Sequence, residues 1–330
     1  MKSLPAGNNE NGTRFTIGDF YEAGRKSLAL TLFAGGDNLG REITEPIVNR
    51  PGLALTGFFK HFAWRRPQLI GQAEMAYLNS IGRSERLARF RSILDRKASL
   101  FIFTAGARPL DEEGRLAAES GAVIFTTKLK TRNVANRSTF LLERLGAPTT
   151  TMYGTMIEVC GLGVFIEGDP GLGKSETALG LIKRGHALIA DDLTCVRKEV
   201  GTDSLFASAS DSTVGFMEIR GIGIMHIPRI FGVTSVRGEK RLQLVITFKR
   251  MQDVRSEIDR VGQDRHYRRI LGVDIPNVII PVSAGRDLVN LVETAAQQQK
   301  LLATGFDPVE ALSRRLRDRA DGIKGKKRGK

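Results

Sequence analysis

A phosphate-binding pattern lies near the middle of this 330-residue chain. Residues 168–175 match G-x-x-x-x-G-K-[ST], as Gly168, Asp169, Pro170, Gly171, Leu172, Gly173, Lys174 and Ser175. The glycines let the backbone curl so that several N–H groups converge on one point, where a following helix adds the positive end of its dipole. Lys174 can reach the outer phosphates of a nucleotide, and the Ser175 hydroxyl can ligate Mg2+.

The elements on both sides of the pattern support this interpretation. A short apolar run at residues 164–166 predicts a buried strand before the loop. After the loop, Ala178, Leu179, Leu181 and Ile182 recur at helical spacing, and Gly185 marks the end of that helix. The alternative is a glycine-rich turn that matches the pattern by chance. Such a turn would need neither the strand before it nor the helix after it.

Two aspartates follow the next predicted strand, residues 187–190. In open α/β sheets, ligands bind at the carboxyl ends of the strands, so Asp191 and Asp192 are expected to face the phosphates. One of them could hold Mg2+ through water, and the other could take a proton from an attacking hydroxyl. The alternative is an Asp-Asp turn on the surface.

Residues 217–225 form a third candidate segment. Glu218 and Arg220 are two residues apart, which places them on one face of an extended segment. Next to a phosphate site they would serve as a metal ligand and a charge partner, with Gly221 and Gly223 allowing close backbone approach. An ordinary amphipathic edge strand fits the spacing equally well.

Composition narrows the class of protein. The chain is 41% hydrophobic and 26% charged, and its two cysteines, Cys160 and Cys195, provide neither a disulfide framework nor a metal cluster. No apolar run reaches the roughly 18 residues that a membrane span needs, so a cytoplasmic protein is expected. Half of the net charge of +14 lies in residues 313–330, which contain nine Lys or Arg and two Asp. Without interleaved aromatic residues, a solvated tail is favoured over nucleic-acid binding.

The remaining pattern predicts an α/β protein. Residues 1–14 are expected to be disordered, and residues 15–147 to form a small N-terminal α/β domain with a largely parallel sheet. Residues 148–305 form the P-loop domain, and residues 306–330 a C-terminal helix and basic tail. In the first domain we predict helices at residues 17–32, 74–94, 111–119 and 138–145, and strands at 67–71, 99–104 and 122–126. The stretch 40–48 is predicted to enter a strand, and 53–64 to begin a helix.

Taken together, the motifs resemble those of the HPr kinase/phosphorylase family. The resemblance covers about residues 15–305. It is carried by Asn49-Arg50-Pro51-Gly52-Leu53 with Gly57-Phe58, by the P-loop block through Asp192, by the signature from Glu218 to Ile224, by Asp259-Arg260-Val261-Gly262, and by Pro281-Val282 with Gly285-Arg286. The P-loop is shared by many nucleotide-binding proteins, whereas the signature with the motif near residue 50 is far more specific.

The resemblance implies an activity and a role for each matching residue. Family members use ATP to phosphorylate a serine of the phosphocarrier HPr, and reverse this with inorganic phosphate, which releases pyrophosphate. Lys174 would bind phosphate, and Ser175 with Glu218 would hold Mg2+. Asp192 would be the proton acceptor and donor, and Arg260 a catalytic arginine. The signature residues Arg220, Gly221 and Gly223, and the later motif with Pro281, Gly285 and Arg286, complete the site, the later motif serving mainly the reverse reaction.

The resemblance also implies a P-loop kinase domain similar to phosphoenolpyruvate carboxykinase and a homo-hexamer. The sequence departs from the family pattern at three places. Tyr153-Gly154 stands where the family has a catalytic His followed by Gly, Ser283-Ala284 stands where Arg-Pro is common, and Pro170 replaces a common Ser. A tyrosine does not titrate near neutral pH as histidine does, so these departures concern phosphorolysis more than the kinase reaction.

Three functions are therefore weighed. The first is a Mg-ATP-dependent serine kinase of HPr or a paralogue, with the reverse phosphorolysis. The second is a P-loop kinase of another substrate. The third is a nucleotide-binding regulator without catalysis, which Tyr153 favours and which the intact Lys174, Ser175, Asp192 and Glu218 argue against.

Overall fold

The structure is a computed structural model that describes residues 14–210, 212–254 and 265–327. Its described residues form two compact units, an N-terminal unit that ends at Pro148 and a C-terminal unit that begins at Thr149. Within the described ranges, no helix is both long enough and apolar enough to cross a bilayer. The expectations for residues 1–13 lie outside the described part of the chain.

The N-terminal unit is built on a sheet that is mostly parallel. Its four described strands stand in the order β1-β4-β3-β2. Strands β2, β3 and β4 run parallel to one another, and β1 is antiparallel to β4. The strands are β1 (Thr31–Ala34), β2 (Gln68–Ile70), β3 (Leu100–Phe103) and β4 (Val123–Thr126).

Helices cover both faces of this sheet, which explains why β3 is apolar at every position. Leu100 and Ile102 pack into one hydrophobic cluster, and Phe101 and Phe103 pack into the other. All four are at most 1% exposed, and full burial of such a side chain contributes about 1.5–3 kcal/mol. The helices are α1 (Ile17–Gly24), α2 (Gly52–Leu55), α3 (Gln72–Ser80), α4 (Arg83–Leu94), α5 (Asp111–Glu119) and α6 (Thr131–Gly146).

The parallel sheet confirms the predicted class of this unit, while several element bounds were wrong. The helix predicted at 17–32 ends at Gly24, because the chain turns at Ala29, whose φ is 46°, to form β1. The helix predicted at 74–94 is broken at Ile81–Gly82, where the backbone is extended. Residues 40–48 form no strand, residues 53–64 contribute only the end of α2, and α6 begins seven residues before its predicted start.

The C-terminal unit contains a nine-stranded mixed sheet within the described residues. The main path is β5-β9-β10-β13-β7-β6-β8, with β15 paired to β13 and β14 paired to β15. The strands of this sheet are β5 (Thr149–Tyr153), β6 (Thr155–Val159), β7 (Leu162–Gly168), β8 (Ala187–Ala190), β9 (Leu193–Lys198), β10 (Leu205–Ala209), β13 (Glu239–Arg250), β14 (His266–Ile270) and β15 (Val273–Val282). Strands β11 (Phe216–Ile219) and β12 (Gly223–His226) form a separate hairpin.

Two helices pack together on one face of that sheet. Helices α7 (Lys174–Lys183) and α9 (Leu288–Ala303) share a hydrophobic cluster with Val164 and Ile166 of β7. They also touch each other closely, because a Cβ on Gly180 would lie 2.5 Å from Val289. The remaining helices are α8 (Ile227–Phe231) and α10 (Pro308–Lys327).

In the C-terminal unit the sequence predicts strands at residues 187–190, 194–199, 204–207, 241–250 and 278–282, and these are confirmed by β8, β9, β10, β13 and β15. Strands β5, β6 and β14 were not predicted. The segment at 217–225 was wrongly predicted as one extended stretch, since it folds back on itself and Glu218 pairs with Ile224 across the β11–β12 hairpin. The sequence also predicts a helix at residues 308–319, and α10 continues eight residues beyond that end, to Lys327.

Candidate functional site

The P-loop joins the end of β7 to the start of α7, as its composition requires. Gly168 has a φ of 146°, and a Cβ there would lie 2.5 Å from the carbonyl oxygen of Phe248 on the neighbouring β13. Gly173, with φ 82°, occupies the left-handed conformation just before α7. Gly168 therefore requires glycine and Gly173 favours it, and the loop can place its N–H groups at the N-terminus of the helix.

The ammonium group of Lys174 lies over this loop. Its Nζ donates to the carbonyl oxygens of Gly168 at 2.8 Å and Asp169 at 3.1 Å. An ammonium has three donors, so a further one is left for a phosphate oxygen. The positive charge is thus held where the outer phosphates of a nucleotide would lie.

Sheet topology brings the aspartate pair to the same edge as the P-loop. Strand β6 is antiparallel both to β7 and to β8, so β7 and β8 run in the same direction and both end at this edge. Thr155, the first residue of β6, therefore lies between them. Its hydroxyl donates to Asp191 Oδ1 at 2.7 Å, and the Ser175 hydroxyl of the P-loop donates to the same oxygen at 3.2 Å.

Asp191 is the buried member of the pair. Its residue is only 7% exposed. Burial raises the pKa of Asp191, and the nearby Asp192 charge adds to this effect, while the hydrogen bonds from Thr155, Ser175 and the Glu218 backbone oppose it. The Oδ2 atom is buried without a hydrogen-bond partner in the described part of the protein, which is a costly arrangement unless a cation or water satisfies it.

Replacing Asp191 with asparagine is expected to stabilise the protein without ligand at neutral pH. A carboxyl whose pKa is raised in the folded state stabilises the fold when it is protonated, below its unfolded pKa, and loses that contribution as the pH rises through the folded value. The gain from Asp191→Asn should therefore be largest at pH 7 and shrink as the pH falls through the raised pKa. Urea unfolding at a series of pH values measures it.

The matched variant Thr155→Val should act in the opposite direction. It removes a hydrogen bond that favours the charged carboxylate, at a cost of about 1–3 kcal/mol. If Asp191→Asn shows a pH-independent effect, or lowers stability at pH 7, the buried carboxylate is not strained as described.

Asp192 differs from its neighbour in exposure and in hydrogen bonding. It is exposed, and its φ of 60° turns the chain sharply after β8. The backbone N–H of Gly154 donates to the Asp192 carbonyl oxygen at 2.9 Å, which fixes the turn. Its carboxylate accepts no hydrogen bond from the described residues, so it is open to a substrate. The structure thus separates an anchored Asp191 from an accessible Asp192.

Tyr153 stands at the rim of the same edge. It is the last residue of β5, pairs with Leu193 directly after Asp192, and is 83% exposed. The following residue must be glycine, because a Cβ on Gly154 would lie 2.5 Å from the Ile166 carbonyl oxygen. The strand pairing brings Tyr153 to the aspartate turn, but the tyrosine side chain forms no hydrogen bond within the described chain.

The β11–β12 hairpin brings the signature residues to the loop. Met217 and Ile219 point into the core shared with α7, and Glu218 is exposed between them. Arg220 lies in the turn of the hairpin rather than in a strand, and its Nη1 would be 3.4 Å from a Cβ on Gly171. Gly221 and Gly223 have φ values of 81° and 97°, which the tight turn requires. The turn of the hairpin therefore brings the Arg220 guanidinium next to Gly171 of the P-loop.

The later motif begins with the last two residues of β15 and continues into the loop after it. Strand β15 is parallel to β13, which is parallel to β7, so its carboxyl end is at the P-loop edge. Arg286 donates from Nη1 to the Pro281 carbonyl oxygen at 2.8 Å, and Gly285 has a φ of 83°. Leu288, which begins α9, comes within 3.8 Å of a Cβ built on Gly173. Arg260 and the motif at 259–262 lie outside the described residues.

The oxygen atoms at this edge suit Mg2+. A serine hydroxyl and a buried carboxylate with one unsatisfied oxygen are the hard donors that this ion prefers. The described residues contain no cluster of three or more His, Cys, Asp or Glu side chains suited to a metal ion, so nucleotide phosphates and water would supply the other ligands. The expected ligands were Ser175 and Glu218; the structure brings Ser175 into contact with Asp191, and Glu218 is exposed on β11.

Thr155 is the residue that the sequence interpretation missed. It is 1% exposed and bonded to Asp191, yet a lone threonine after a glycine has no recognisable pattern. Only the antiparallel insertion of β6 between β7 and β8 explains its position, and that strand was not predicted. Asp191 itself was recognised, with its role relative to Asp192 left open.

Comparison with known proteins finds similar sequences over most of the chain. Residues 15–142 match the family described as HPr Serine kinase N terminus, and residues 144–316 match the HPr Serine kinase C-terminal domain. The HPr kinase/phosphorylase of Leptospira biflexa is 39% identical over 88% of this chain and 90% of its own length. HPr kinase/phosphorylase 1 of Oceanobacillus iheyensis is 37% identical over 87% and 92%.

A further relative covers still more of the sequence. The HPr kinase/phosphorylase of Geobacter sulfurreducens is 35% identical over 93% of this chain and 95% of its own length. Among solved structures, the Hpr(Ser) kinase/phosphatase from Coxiella burnetii is 29% identical, with a TM-score of 0.45 over 49% of this chain and 98% of that chain. The two family matches follow one another along residues 15–142 and 144–316, and the relatives are 35% to 39% identical over at least 87% of this chain, so the chain belongs to the HPr kinase/phosphorylase family.

Proposed function

We propose that this protein transfers the γ-phosphoryl group of ATP to a serine of HPr or an HPr-like phosphocarrier, and that it also catalyses phosphorolysis of the product. The observation that carries the proposal is the contact between the P-loop and the aspartate turn, Ser175 to Asp191, with Asp192 accessible beside it. Membership of the family, whose relatives are named HPr kinase/phosphorylase, supplies the substrate.

The forward reaction assigns a role to each group at the site. The serine oxygen of HPr attacks the γ-phosphorus of ATP. The bond between this phosphorus and the oxygen that bridges it to the β-phosphate breaks, and ADP leaves. Asp192 takes the serine proton. Lys174 and the P-loop N–H groups stabilise the charge on the phosphates, and Arg220 stands over the loop to add to this. Arg260 is proposed as a second catalytic arginine.

In phosphorolysis the same carboxyl group acts as an acid. An oxygen of inorganic phosphate attacks the phosphorus of phosphoserine, the phosphorus–serine bond breaks, and Asp192 returns a proton to the serine oxygen as pyrophosphate forms. The loop from Pro281 to Arg286 is proposed to position the attacking phosphate. Within this loop, the Pro281 carbonyl oxygen accepts a hydrogen bond from the Arg286 guanidinium and holds it at this edge.

Mg2+ is proposed to bind Ser175 and Asp191, with Glu218 as a further ligand. When bound, it would neutralise phosphate charge and orient the γ-phosphoryl group. Asp191 is poised for this because one of its oxygens is buried and unsatisfied. A homo-hexamer and a cytoplasmic location are proposed from the family resemblance, and light scattering of the purified protein tests the first of them.

The two directions of the reaction can be tested separately. The test is a pair of assays, one with Mg-ATP and HPr, the other with serine-phosphorylated HPr and inorganic phosphate. Phosphoserine in the first and pyrophosphate in the second are expected. A P-loop kinase of another substrate, or a regulator without catalysis, predicts silence in both assays while ATP still binds, and that outcome would remove the proposal.

The Tyr153→His variant then isolates the family departure. Because the Tyr153 side chain is largely exposed and forms no hydrogen bond within the described chain, the substitution should not disturb the fold. We expect it to raise the phosphorolysis rate near pH 7, since an imidazole can exchange protons there and a phenol cannot, and to leave the kinase rate within about twofold. An equal change in both rates would show that residue 153 has no specific role in the reverse reaction.

A further inference from the structure

Tyr153 places a hydroxyl group at the edge of the sheet where the P-loop lies. It ends β5, pairs with Leu193, and is 83% exposed. Within the described ranges its phenol forms no hydrogen bond, whereas the hydroxyls of Thr155 and Ser175 both donate to Asp191. An exposed hydroxyl without a partner is a nucleophile that nothing else at the site engages.

Strand alternation puts the Tyr153 side chain on the face of the sheet that carries α7. Met152 packs against the cluster that contains Phe165, on the other face, whereas Ile166 packs with α7. Because successive side chains of a strand point to opposite faces, Tyr153 points to the α7 side. Thr155, which pairs with Ile166, lies on that side as well. The phenol therefore shares a face with the P-loop helix.

Two hydrogen bonds join the backbone next to Tyr153 to the phosphate-binding loop. Thr155, two residues further on, donates to Asp191 at 2.7 Å, and Asp191 accepts from Ser175 of the P-loop at 3.2 Å. Ser175 directly follows Lys174, whose ammonium is held over the loop. The long phenol side chain thus begins two residues from a contact with the loop that would hold the outer phosphates.

A proton acceptor stands beside the phenol. Asp192 directly precedes Leu193, the strand partner of Tyr153, and its carbonyl oxygen accepts from the Gly154 N–H at 2.9 Å. Asp192 is exposed, and its carboxylate accepts no hydrogen bond from the described residues. The backbone between them is fixed, since a Cβ on Gly154 would lie 2.5 Å from the Ile166 carbonyl oxygen. One turn therefore holds a hydroxyl and a carboxylate side by side.

We propose that the protein phosphorylates its own Tyr153 from ATP. The phenol oxygen attacks the γ-phosphorus, the bond between this phosphorus and the oxygen bridging to the β-phosphate breaks, and ADP leaves. Asp192 takes the phenol proton. Lys174 and the loop N–H groups stabilise the charge on the phosphates. The inference rests on the proposed nucleotide site and adds a second acceptor to it, in the chain itself.

The chemistry of a phenol suits both the formation and the removal of this phosphate. A phenol gives up its proton more readily than the alcohol of a serine, and phosphoryl transfer depends mainly on positioning and charge stabilisation. In reverse, inorganic phosphate attacks the phosphorus of phosphotyrosine and the bond from phosphorus to the phenol oxygen breaks. Asp192 returns the proton to that oxygen, and pyrophosphate forms. The modification is therefore reversible at the same site.

Incubation of the full-length protein with Mg2+ and ATP labelled in the γ-phosphate, without HPr, tests the proposal. The label should enter the chain as phosphotyrosine, and peptide mass spectrometry should place it at Tyr153. The chain has four tyrosines, of which Tyr21 and Tyr77 belong to the N-terminal unit and Tyr267 to β14. Added inorganic phosphate should then release the label as pyrophosphate.

Three further measurements make the result specific. Tyr153→Phe should lower the label about tenfold or more, because the nucleophile is lost. The matched variant Tyr267→Phe, at another exposed tyrosine, should keep it within about twofold. A mixture of the Lys174→Ala and Tyr153→Phe proteins should stay unlabelled, because neither chain has both the complete loop and the acceptor. Circular dichroism verifies that all the variants fold.

Several outcomes overturn the proposal. They are an unlabelled wild-type protein, phosphoserine in place of phosphotyrosine, equal label in Tyr153→Phe and Tyr267→Phe, or label in the mixture. The assays with HPr separate this failure from that of the proposed function. Phosphorylation of HPr without labelling of the chain contradicts only the Tyr153 step, whereas labelled Tyr153 with no reaction on HPr supports that step and contradicts the proposed substrate.

Discussion

Lys174→Ala is expected to lower ATP-dependent phosphorylation of HPr by about 10²–10³-fold or more, the range for loss of one donor aimed at the charge that develops in a transition state. The Lys174 ammonium lies over the loop on two backbone carbonyls, at 2.8 and 3.1 Å. An alanine there would leave the phosphates facing those carbonyl oxygens without a cation. The loss should appear in both directions of the reaction, since each direction places charge on the same phosphates.

The control for this experiment lies on the same helix. Lys183→Ala removes an exposed lysine at the last turn of α7, so net charge changes equally while the loop remains intact. Radiolabelled ATP and purified HPr give the rates, and circular dichroism verifies folding. Activity of Lys174→Ala within a few-fold of the control would contradict the assignment of residues 168–175 as the phosphate-binding loop.

The sequence predicted the P-loop well because the requirements of that loop are local. A φ of 146° at Gly168 is open to glycine alone, and a φ of 82° at Gly173 lies in the left-handed region that favours glycine, so the constraint is visible in the residue types themselves. The strand before the loop and the helix after it follow the same logic, since their apolar positions recur at the spacing of one element.

The aspartate site was only half predictable, because its geometry depends on pairing between distant strands. Asp191 and Asp192 are adjacent in sequence, yet one is buried against Thr155 and Ser175 and the other is exposed. That difference arises where β6 inserts between β7 and β8. Nothing in the residues 149–159 distinguishes two strands with a Gly154 corner from a loop, so Thr155 could not be found.

The signature segment shows a third kind of limit. The alternation of Glu218, Ile219 and Arg220 fits a strand, and the first half of the segment is one. The chain turns at Arg220 because Gly221 adopts a positive φ of 81°, and an isolated glycine in a strand pattern signals a bulge, a close approach or a turn without deciding between them. The interpretation as an ordinary edge strand and the functional interpretation therefore both described only part of the hairpin.

Asp192→Asn is expected to lower both the kinase and the phosphorolysis rates by about 10²–10⁴-fold, the usual contribution of a positioned acid or base. The amide cannot accept the serine proton in one direction or return it in the other. Asparagine is the informative replacement here, because Asp192 has a φ of 60° and asparagine tolerates that left-handed backbone where alanine would strain it. The turn held by the Gly154 N–H should therefore survive.

Nucleotide binding separates this role from that of its neighbour. The affinity of Asp192→Asn for a fluorescent ATP analogue with Mg2+ should stay within a few-fold, since the exposed Asp192 carboxylate forms no hydrogen bond with the P-loop in the described structure. Asp191→Asn should instead weaken Mg-dependent binding, because Asp191 contacts Ser175 directly. Asp203→Asn, in the exposed turn between β9 and β10, is the control for loss of a surface charge.

The two aspartate variants thus give opposite signatures if the structure assigns the roles correctly. Loss of nucleotide affinity in Asp192→Asn with an unchanged rate at saturation would transfer the metal role to Asp192. Loss of only one direction of the reaction would contradict a shared proton carrier, because the group that accepts the proton during phosphorylation must be the one that returns it to the same serine oxygen. Both rates falling together at constant affinity is the result that the anchored Asp191 and the accessible Asp192 predict.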